Sequence, residues 1–234
     1  MSQQHQITLI EQNITVSVDS VVFGYTNSEL QILLIKRTKE PFKNTWAIPG
    51  GLLTKNQAAL DAALNTLKTK AGVKINYLEQ LFTFDELQRD PRSRTIAIAY
   101  FALINPNHYE ISTQTKSYDA AWFSLNDLPL LAFDHKQIIE TAITRLRGKI
   151  SYQPIGFELL DKEFTLSELQ KLYEVILNSD LDKRNFRKKI ISTNIVTNTG
   201  KKRTGLRNRA PELYSFNKKE YEKIIKSGFN FKIV

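Results

Sequence analysis

Apolar residues in the first half of the chain fall into short runs rich in β-branched and aromatic side chains, separated by turn residues. The runs at 14–25 and 30–36 predict two strands, and the turn residues at 26–29 predict that they form a hairpin. Further strands are predicted at 46–49, 77–85, 95–104 and 118–123. This half of the chain therefore predicts a sheet of several strands.

Two segments instead repeat their apolar residues at spacings of three and four, as one face of a helix does. The first segment ends at Gly72, where a helix C-terminus often needs a positive φ angle. The second spans 133–149, with Asp134 as the predicted N-cap. The predicted inward faces are Leu60, Ala63, Leu64, Leu67 and Ala71 in the first helix, and Ile138, Ile139, Ala142, Ile143 and Leu146 in the second. The two helices and the strands predict a mixed sheet covered by helices.

The order of elements changes after residue 150. A linker is predicted at 153–156 and a short strand at 157–160. Thr165 and Glu168 form a capping box that opens an apolar-striped helix, and Asp182 opens a second helix. The remaining predicted features are inward positions Phe186, Ile190 and Ile191, strands at 194–199 and 212–216, and a basic turn at 200–209. A helix, a turn, a basic helix and a basic-tipped hairpin form the layout of a winged helix-turn-helix.

The fold class that follows is α+β, with an N-terminal domain at 1–150 and a winged helix-turn-helix domain at 151–234. The charge supports this division. Residues 182–234 hold fifteen Lys and Arg against four acids, a net charge of +11, whereas the whole chain carries +9 and residues 1–181 therefore carry −2. Such asymmetry predicts an anionic partner for the C-terminal end. A solvated tail is the alternative, but the interleaved apolar residues are not needed by a disordered tail.

Double-stranded DNA fits this anionic partner. A basic helix can enter the major groove, where Arg and Asn side chains read base edges, and a basic wing can hold phosphates. The predicted DNA-binding residues are Lys183, Arg184, Asn185, Arg187 and Lys188 in the helix, and Lys201, Lys202, Arg203, Arg207 and Arg209 in the wing.

Residues 46–73 form a strand, a loop and a helix that resemble the signature of the Nudix hydrolases. That signature is glycine, five residues, glutamate, seven residues, then arginine-glutamate-aliphatic-any-glutamate-glutamate-any-glycine-aliphatic. Aligned on Gly51, the chain keeps Leu67, Gly72 and Val73. At the charged positions of the signature it has Gln57, Asn65, Thr66, Thr69 and Lys70. The resemblance implies an α/β/α sandwich with a mixed sheet.

The replaced glutamates predict that the chain is not an enzyme. Pyrophosphate cleavage in this family needs Mg²⁺ or Mn²⁺, and these hard ions need several carboxylate oxygens. Between Gly51 and Val73 the one acid is Asp61, and Lys70 places a cation where the metal should lie. We therefore expect no catalytic residue, no metal site and no cofactor, and a pocket that either binds a ligand or is inert.

The arginine-rich loop at 89–94 is similar to a loop of ADP-ribose-directed Nudix proteins, with Ser93 in place of a glycine. Guanidinium forks of this kind bind phosphates or carboxylates, although such a loop also pairs its own charges. Aromatic rings can stack on a base or sugar, although core packing is their more common role. The candidate effector-binding residues are Arg37, Trp46, Phe84, Arg89, Arg92 and Arg94.

A degenerate Nudix-like domain followed by a basic winged helix resembles the Nudix-related transcriptional regulators, over about residues 14–216. The most specific matching segments include 89–100, 132–135 and the run RNFRKK. The resemblance implies a homodimer that presents two winged helices to a pseudo-palindromic DNA operator and responds to a small-molecule effector. The group includes repressors of NAD metabolism that sense ADP-ribose and sugar-responsive regulators of pentose use.

Alternatives remain open at this stage. The arginine-rich loop favours a nucleotide such as ADP-ribose as the effector, whereas the missing carboxylates favour a neutral pentose such as L-arabinose. A working Nudix hydrolase with a nucleic-acid tether and a pure RNA-binding module are rivals from other classes. The chain has no cysteine, no metal-ligand spacing among its three histidines, and no apolar run or leader typical of membrane insertion. We therefore expect a cytoplasmic protein without a membrane partner.

Overall fold

The computed structural model describes residues 13–109, 119–204 and 210–226. Its strands are β1 (Thr15–Thr26), β2 (Glu29–Lys36), β3 (Trp46–Ala47), β4 (Gly50–Leu52), β5 (Tyr77–Phe84), β6 (Thr95–Leu103), β7 (Ala120–Ser124), β8 (Val196–Lys202) and β9 (Glu212–Phe216). Its helices are α1 (Ala59–Ala71), α2 (His135–Tyr152), α3 (Leu166–Leu177), α4 (Lys183–Ser192) and α5 (Lys218–Lys226). Within these residues, none of the helices has both the length and the apolar character that a bilayer crossing requires.

A mixed seven-stranded sheet forms the N-terminal half. The order across the sheet is β3-β2-β1-β6-β5, with β4 paired to β1 and β7 paired to β2. The central pair β1 and β6 is parallel, and the other pairs are antiparallel. The predicted hairpin of β1 and β2 is confirmed, because Thr26 lies opposite Glu29 in its register.

The sheet is covered by α1 on one face and by α2 on the other, so the α/β/α sandwich is confirmed. Apolar residues of α1 pack with even-numbered positions of β1 such as Val18 and Val22. Those of α2 pack with odd-numbered positions such as Val21 and Phe23. This separation follows from the two-residue period of a strand.

The inward face of α1 differs in part from the prediction. Leu60 and Leu64 are 47% and 37% exposed, so placing them in the core was wrong. The buried residues are Ala62, Ala63, Thr66, Leu67 and Ala71. Alanine at three of these positions lets α1 lie close to the sheet, and the two leucines lie on the outward side of the helix. The predicted end of the helix is confirmed, because Gly72 has a φ of 69° and donates its N–H to the Leu67 carbonyl.

The start of α2 is also a partial correction. Asp134 is the residue before the helix, but its side chain makes no capping hydrogen bond. Its carboxylate accepts two hydrogen bonds from Arg89 instead. An ion pair between distant segments has thus replaced the local cap.

The C-terminal half has the predicted winged helix-turn-helix layout of α3, α4 and the hairpin of β8 and β9. The capping box of Thr165 and Glu168 is confirmed, and the Asp182 side chain accepts from the Asn185 N–H at the start of α4. Phe164 and Tyr214 exchange backbone hydrogen bonds of 2.9 and 2.7 Å, which fix the hairpin to the chain entering α3.

The strand predicted at 157–160 is wrong, because Ile155–Leu159 forms a 3₁₀ helix. Its apolar residues at every second position mimic a strand, but Ile155, Phe157 and Leu159 all enter one core. At Gly156 an added Cβ would lie 3.2 Å from Ile150 of α2 and 3.2 Å from Leu172 of α3, so a glycine permits this close packing.

One continuous hydrophobic core runs through both halves of the protein. It joins Phe23 and Ile138 of the sandwich to Leu172 and Phe186 of the winged helix. The helix α2 crosses the predicted division at residue 150 and ends at Tyr152, so this exact boundary remains a prediction.

Candidate ligand cavity and nucleic-acid interface

A cavity of about 230 Å³ opens beside β1, β2 and β4, at the N-terminal end of α2. Its lining brings together segments that are far apart in sequence. The charged and aromatic side chains around it are Asp19, Arg37, Lys39, Glu40, Lys70, Arg89, Asp90, Arg92, Phe133 and His135. Cations therefore outnumber acids in this part of the lining.

Two lining residues of the cavity, Asp19 and Arg89, form a buried ion triad with Asp134. Arg89, whose side chain is 4% exposed, donates from Nε and Nη2 to the two carboxylate oxygens of Asp134, each at 2.8 Å. Its Nη2 also lies 3.5 Å from Asp19 Oδ2. Burial raises the pKa of Asp19 to about 6, although Arg89 acts in the opposite direction. We expect Arg89 to hold the cavity together, because its guanidinium is directed at two carboxylates.

Gly50 and Gly51, here called the glycine loop, pair with β1 at the start of β4. Asp19 lies opposite Gly50 in the strand register, and a Cβ added at Gly50 would lie 2.0 Å from Asp19 Oδ1. Lys70, from the last turn of α1, donates its ammonium to the Gly50 carbonyl oxygen. Burial lowers the pKa of Lys70, and the nearby Asp19 carboxylate opposes that shift. A cation on α1 is thus held over the glycine loop.

Phe133 forms the aromatic wall of the cavity. The guanidinium carbons of Arg37 and Arg92 lie 4.6 and 5.6 Å from its ring centre, within cation–π range. The Phe42 ring meets it edge-on at 4.8 Å. Phe133 has a φ of 52°, a left-handed conformation that is uncommon for an aromatic residue and that directs the ring toward the arginines.

The Arg92 side chain is also held by Asp90. Its Nε and Nη2 donate to the Asp90 carboxylate at 2.9 and 2.7 Å. These hydrogen bonds hold the pKa of Asp90 below its usual value. The Arg92 side chain nevertheless remains 48% exposed, so its guanidinium can also meet a ligand.

The lining does not fit a divalent metal ion. Across residues 13–109, 119–204 and 210–226, no three His, Asp or Glu residues cluster as metal ligands would. The two acids beside the glycine loop, Asp19 and Asp90, already face Arg89 and Arg92. Magnesium requires oxygen ligands in near-octahedral geometry, and here an ammonium occupies the corresponding helix position.

The basic helix α4 presents its charges to solvent. Phe186 and Ile190 are buried, which turns the charged side of α4 outward. Ile191 was predicted to face inward, but it is 48% exposed. The exposed residues of this side are Lys183, Arg184, Asn185 and Lys188. Arg187 is partly buried and donates to the Ser167 hydroxyl at 2.9 Å, so it also fixes α4 to α3.

The wing carries basic residues that face acids of the same domain. Lys201 lies 2.7 Å from a Glu163 oxygen, and Arg203 lies 2.6 Å from a Glu168 oxygen. Lys202 is exposed. Arg207 and Arg209, predicted to bind DNA, lie outside the described residues. The outer face of α4 and the described wing together form a basic surface suited to a nucleic-acid backbone.

Two family models match the two halves of the chain. The model described as the NUDIX domain matches residues 16–142, and the model described as the NrtR DNA-binding winged helix domain matches residues 156–216. The ADPR responsive transcriptional repressor NtrR of Acinetobacter baylyi is 36% identical over 219 residues, which cover 92% of this chain and 84% of that protein.

This chain belongs to the NrtR family.

Two solved structures of this family resemble it. Shewanella oneidensis NrtR complexed with a 27mer DNA has a TM-score of 0.80 and 33% identity, covering 88% of this chain and 95% of that one. The NUDIX domain of Shewanella oneidensis NrtR complexed with ADP ribose has a TM-score of 0.54 and 34% identity, covering 58% of this chain and 90% of that one. The predicted family, the Nudix-like sandwich and the winged helix are therefore confirmed for this ligand-responsive class of DNA-binding regulators.

Three of the six candidate effector residues line the cavity, namely Arg37, Arg89 and Arg92. Trp46 instead packs edge-on against Phe123 at 4.7 Å, and Phe84 is buried in the core. Arg94 donates to the carbonyls of Asp85 and Glu86 and so shapes the loop between β5 and β6. These last three residues lie outside the cavity lining, so their contact with the effector stays a prediction.

The sequence analysis missed other residues of the cavity as binding candidates. Phe133 lies within the segment 132–135 that carried part of the resemblance. Lys70 was noted only as the replacement of a glutamate in the Nudix signature, not as a binding residue. Asp19 sits inside a strand-like run, where a charged residue with buried neighbours was the available signal.

The ion pair of Arg203 and Glu168 predicts a variant with stronger DNA binding. Replacing Glu168 with glutamine keeps an oxygen for the Thr165 N–H but removes the charge that faces Arg203. We expect a roughly two- to fivefold gain in DNA affinity and a change in stability below about 0.5 kcal/mol, since such partly exposed pairs contribute little. Gel shifts and urea unfolding measure both effects, with the exposed Glu140→Gln as the control. Weaker binding would mean that the pair holds the wing in its reading position.

His135 predicts a dependence of stability on pH. Its Nδ1 accepts from the Ile48 N–H at 3.1 Å, and burial lowers its pKa to about 3. As pH falls below about 6.5, the unfolded chain takes up a proton at His135 that the folded chain refuses, so stability is lost. From pH 6.5 to 5 we expect a loss of about 1.6 kcal/mol beyond that of His135→Asn, whose amide oxygen can also accept.

Urea unfolding of both proteins across this pH range measures the difference. Asp19 changes in the opposite sense, because its raised pKa favours the folded state as the pH falls, but it is present in both proteins. Parallel curves would contradict the assignment of a neutral, buried His135.

Proposed function

We propose that this protein is a transcriptional repressor whose N-terminal cavity binds ADP-ribose without metal and without cleaving it. Binding would change how the winged helix engages a DNA operator. The observation that carries the proposal is the cavity lined by Arg37, Arg92 and Lys70, together with the lack of a metal-binding carboxylate cluster among the residues that the structure describes.

The chemistry of the lining favours a nucleotide over a neutral pentose. Guanidinium groups form paired, charge-assisted hydrogen bonds with phosphate oxygens. A sugar needs neutral donors and acceptors instead, and the cationic side chains of this cavity would gain little from it. Phe133 lines the same cavity and lies within cation–π range of both guanidinium groups. The relative from Acinetobacter, named for its response to ADPR, supports the same choice.

The DNA partner is supported by the basic surface of α4 and the wing. We further propose that the protein acts as a homodimer in the cytoplasm, since two winged helices side by side would match a two-fold operator. A ligand shifts such an assembly only to the extent that it binds one arrangement more tightly than the other.

Two measurements test the effector. Calorimetry in the presence of EDTA should detect binding of ADP-ribose and no binding of L-arabinose. A gel shift with the DNA upstream of the protein's own gene should then change with ADP-ribose and not with the sugar. Binding of L-arabinose in place of ADP-ribose would reverse the assignment, and silence toward both would remove it.

The absence of hydrolysis is tested separately. Incubation with ADP-ribose and Mg²⁺ or Mn²⁺, followed by chromatography for AMP, should show no turnover above a protein-free control. Metal-dependent turnover would favour the rival reading of a hydrolase carrying a nucleic-acid tether.

A further inference from the structure

Lys70 stands at a position where the catalytic Nudix signature has a glutamate. The change from a negative to a positive side chain is the least expected feature of the cavity. Lys70 lies one helical turn after Thr66, which also replaces a glutamate of the signature. A Cβ added at Gly51 would lie 3.3 Å from the Thr66 hydroxyl and 3.6 Å from the Lys70 ammonium. Both side chains therefore face the glycine loop from α1.

The Lys70 ammonium lies beside a backbone carbonyl oxygen and near a buried carboxylate. Its ammonium donates to the Gly50 carbonyl oxygen, and the Asp19 carboxylate opposite Gly50 lies close enough to stabilise the charge. The positive charges of Arg37 and Lys39 act in the opposite sense and lower the pKa of Lys70. A positive charge kept among these groups, at the edge of an open cavity, is suited to meet a polyanion.

We propose that Lys70 takes the place of the metal ion and binds the diphosphate group of the ligand directly. Lys70 lines the cavity, and an ammonium is a charged hydrogen-bond donor suited to phosphate oxygens. Binding then requires no divalent ion and is insensitive to a chelator. This inference rests on the proposed function for the identity of the ligand, but the diphosphate chemistry can be tested without it.

The experiment measures binding of ADP-ribose and of inorganic pyrophosphate by calorimetry, each with EDTA and with Mg²⁺. The variant Lys70→Met removes the charge and keeps a long side chain, and Lys70→Arg restores the charge. Lys68→Met, on an exposed position of the same helix, is the matched control. Unfolding curves of the three variants establish that each is folded, and Lys70→Gln replaces Lys70→Met if that variant is not.

The wild type should bind equally well with EDTA and with Mg²⁺. Lys70→Met should lose roughly 10- to 100-fold in affinity for both ligands, the size of a hydrogen bond to a charged group. Lys70→Arg should retain most of the affinity, and Lys68→Met should equal the wild type.

The outcomes separate this inference from the proposed effector. If pyrophosphate binds in EDTA through Lys70 but ADP-ribose does not bind, the inference stands and the effector is wrong. If ADP-ribose binds in EDTA and binds Lys70→Met as tightly as the wild type, the inference is overturned and the effector stands. If ADP-ribose binds only with Mg²⁺, the inference and the metal-free binding of the proposed function are both overturned. If neither ligand binds under any condition, the inference about Lys70 and the proposed effector are both overturned.

Discussion

Replacing Arg89 with methionine should lower the free energy of unfolding by about 3 to 5 kcal/mol, the cost of leaving buried carboxylates without their partner. The guanidinium is 4% exposed, takes both oxygens of Asp134 and lies 3.5 Å from Asp19. Without it, two carboxylates face each other in a site from which water is largely excluded. Methionine fills part of the space but supplies no charge.

Urea unfolding of the two proteins measures this loss, and Arg94→Met is the matched control. Arg94 lies in the same loop, but it donates to backbone carbonyls and is exposed to water, so its replacement should cost below about 1 kcal/mol. The loss in Arg89→Met should also be smaller at pH 5 than at pH 7.5. The pKa of Asp19 is already raised, and protonation relieves the repulsion that Arg89 had balanced. A loss below about 1 kcal/mol at both pH values would contradict the buried triad.

The second large effect concerns the outer side of α4. Replacing Arg184 and Lys188 together with alanine should weaken DNA binding by roughly 10- to 100-fold at moderate salt. These residues are four apart and exposed on one face, so both can reach the same stretch of DNA backbone or groove. If both contact phosphates, the slope of log affinity against log salt concentration should become less steep by about 2.

A charge-matched control decides whether position or net charge matters. Lys55 and Lys68 are exposed residues of the N-terminal domain, and the double alanine variant at these sites loses the same two charges. It should bind DNA nearly as well as the wild type, with an unchanged salt slope. An equal loss of DNA affinity in both variants would mean that the overall charge of the protein determines binding. That result would contradict a direct contact between α4 and DNA. Unfolding curves of both variants check that the proteins remain folded.

The features predicted correctly from sequence are those that neighbouring residues determine. Gly72 ends α1 because a left-handed residue is needed there, and Thr165 with Glu168 caps α3 within four residues. Asp134 occupies the predicted N-cap position, but its side chain does not cap α2 because Arg89, 45 positions away, binds the carboxylate. A sequence pattern limited to neighbouring residues cannot show that Arg89 competes with the helix N-terminus for this carboxylate.

The cavity was predictable only in part for the same reason. Arg37, Arg89 and Arg92 stood out as clustered or strand-terminal charges. Phe133 and Lys70 become part of the cavity only once α1 and the segment before α2 are packed on opposite faces of the sheet. The outward rotation of Leu60 and Leu64 is likewise set by how closely α1 approaches the strands.

The helix α2 connects the two functional surfaces of the protein. It begins at the cavity with His135, and near its other end Arg147 donates to the Ile176 carbonyl of α3 at 2.9 Å. Eighteen residues make it about 27 Å long. A tilt of about 5° at the cavity would therefore shift Tyr152 by roughly 2 Å, as a lever of that length dictates. Because α3 shares a hydrophobic core with the C-terminal part of α2, the winged helix would then move together with α2 as a rigid body.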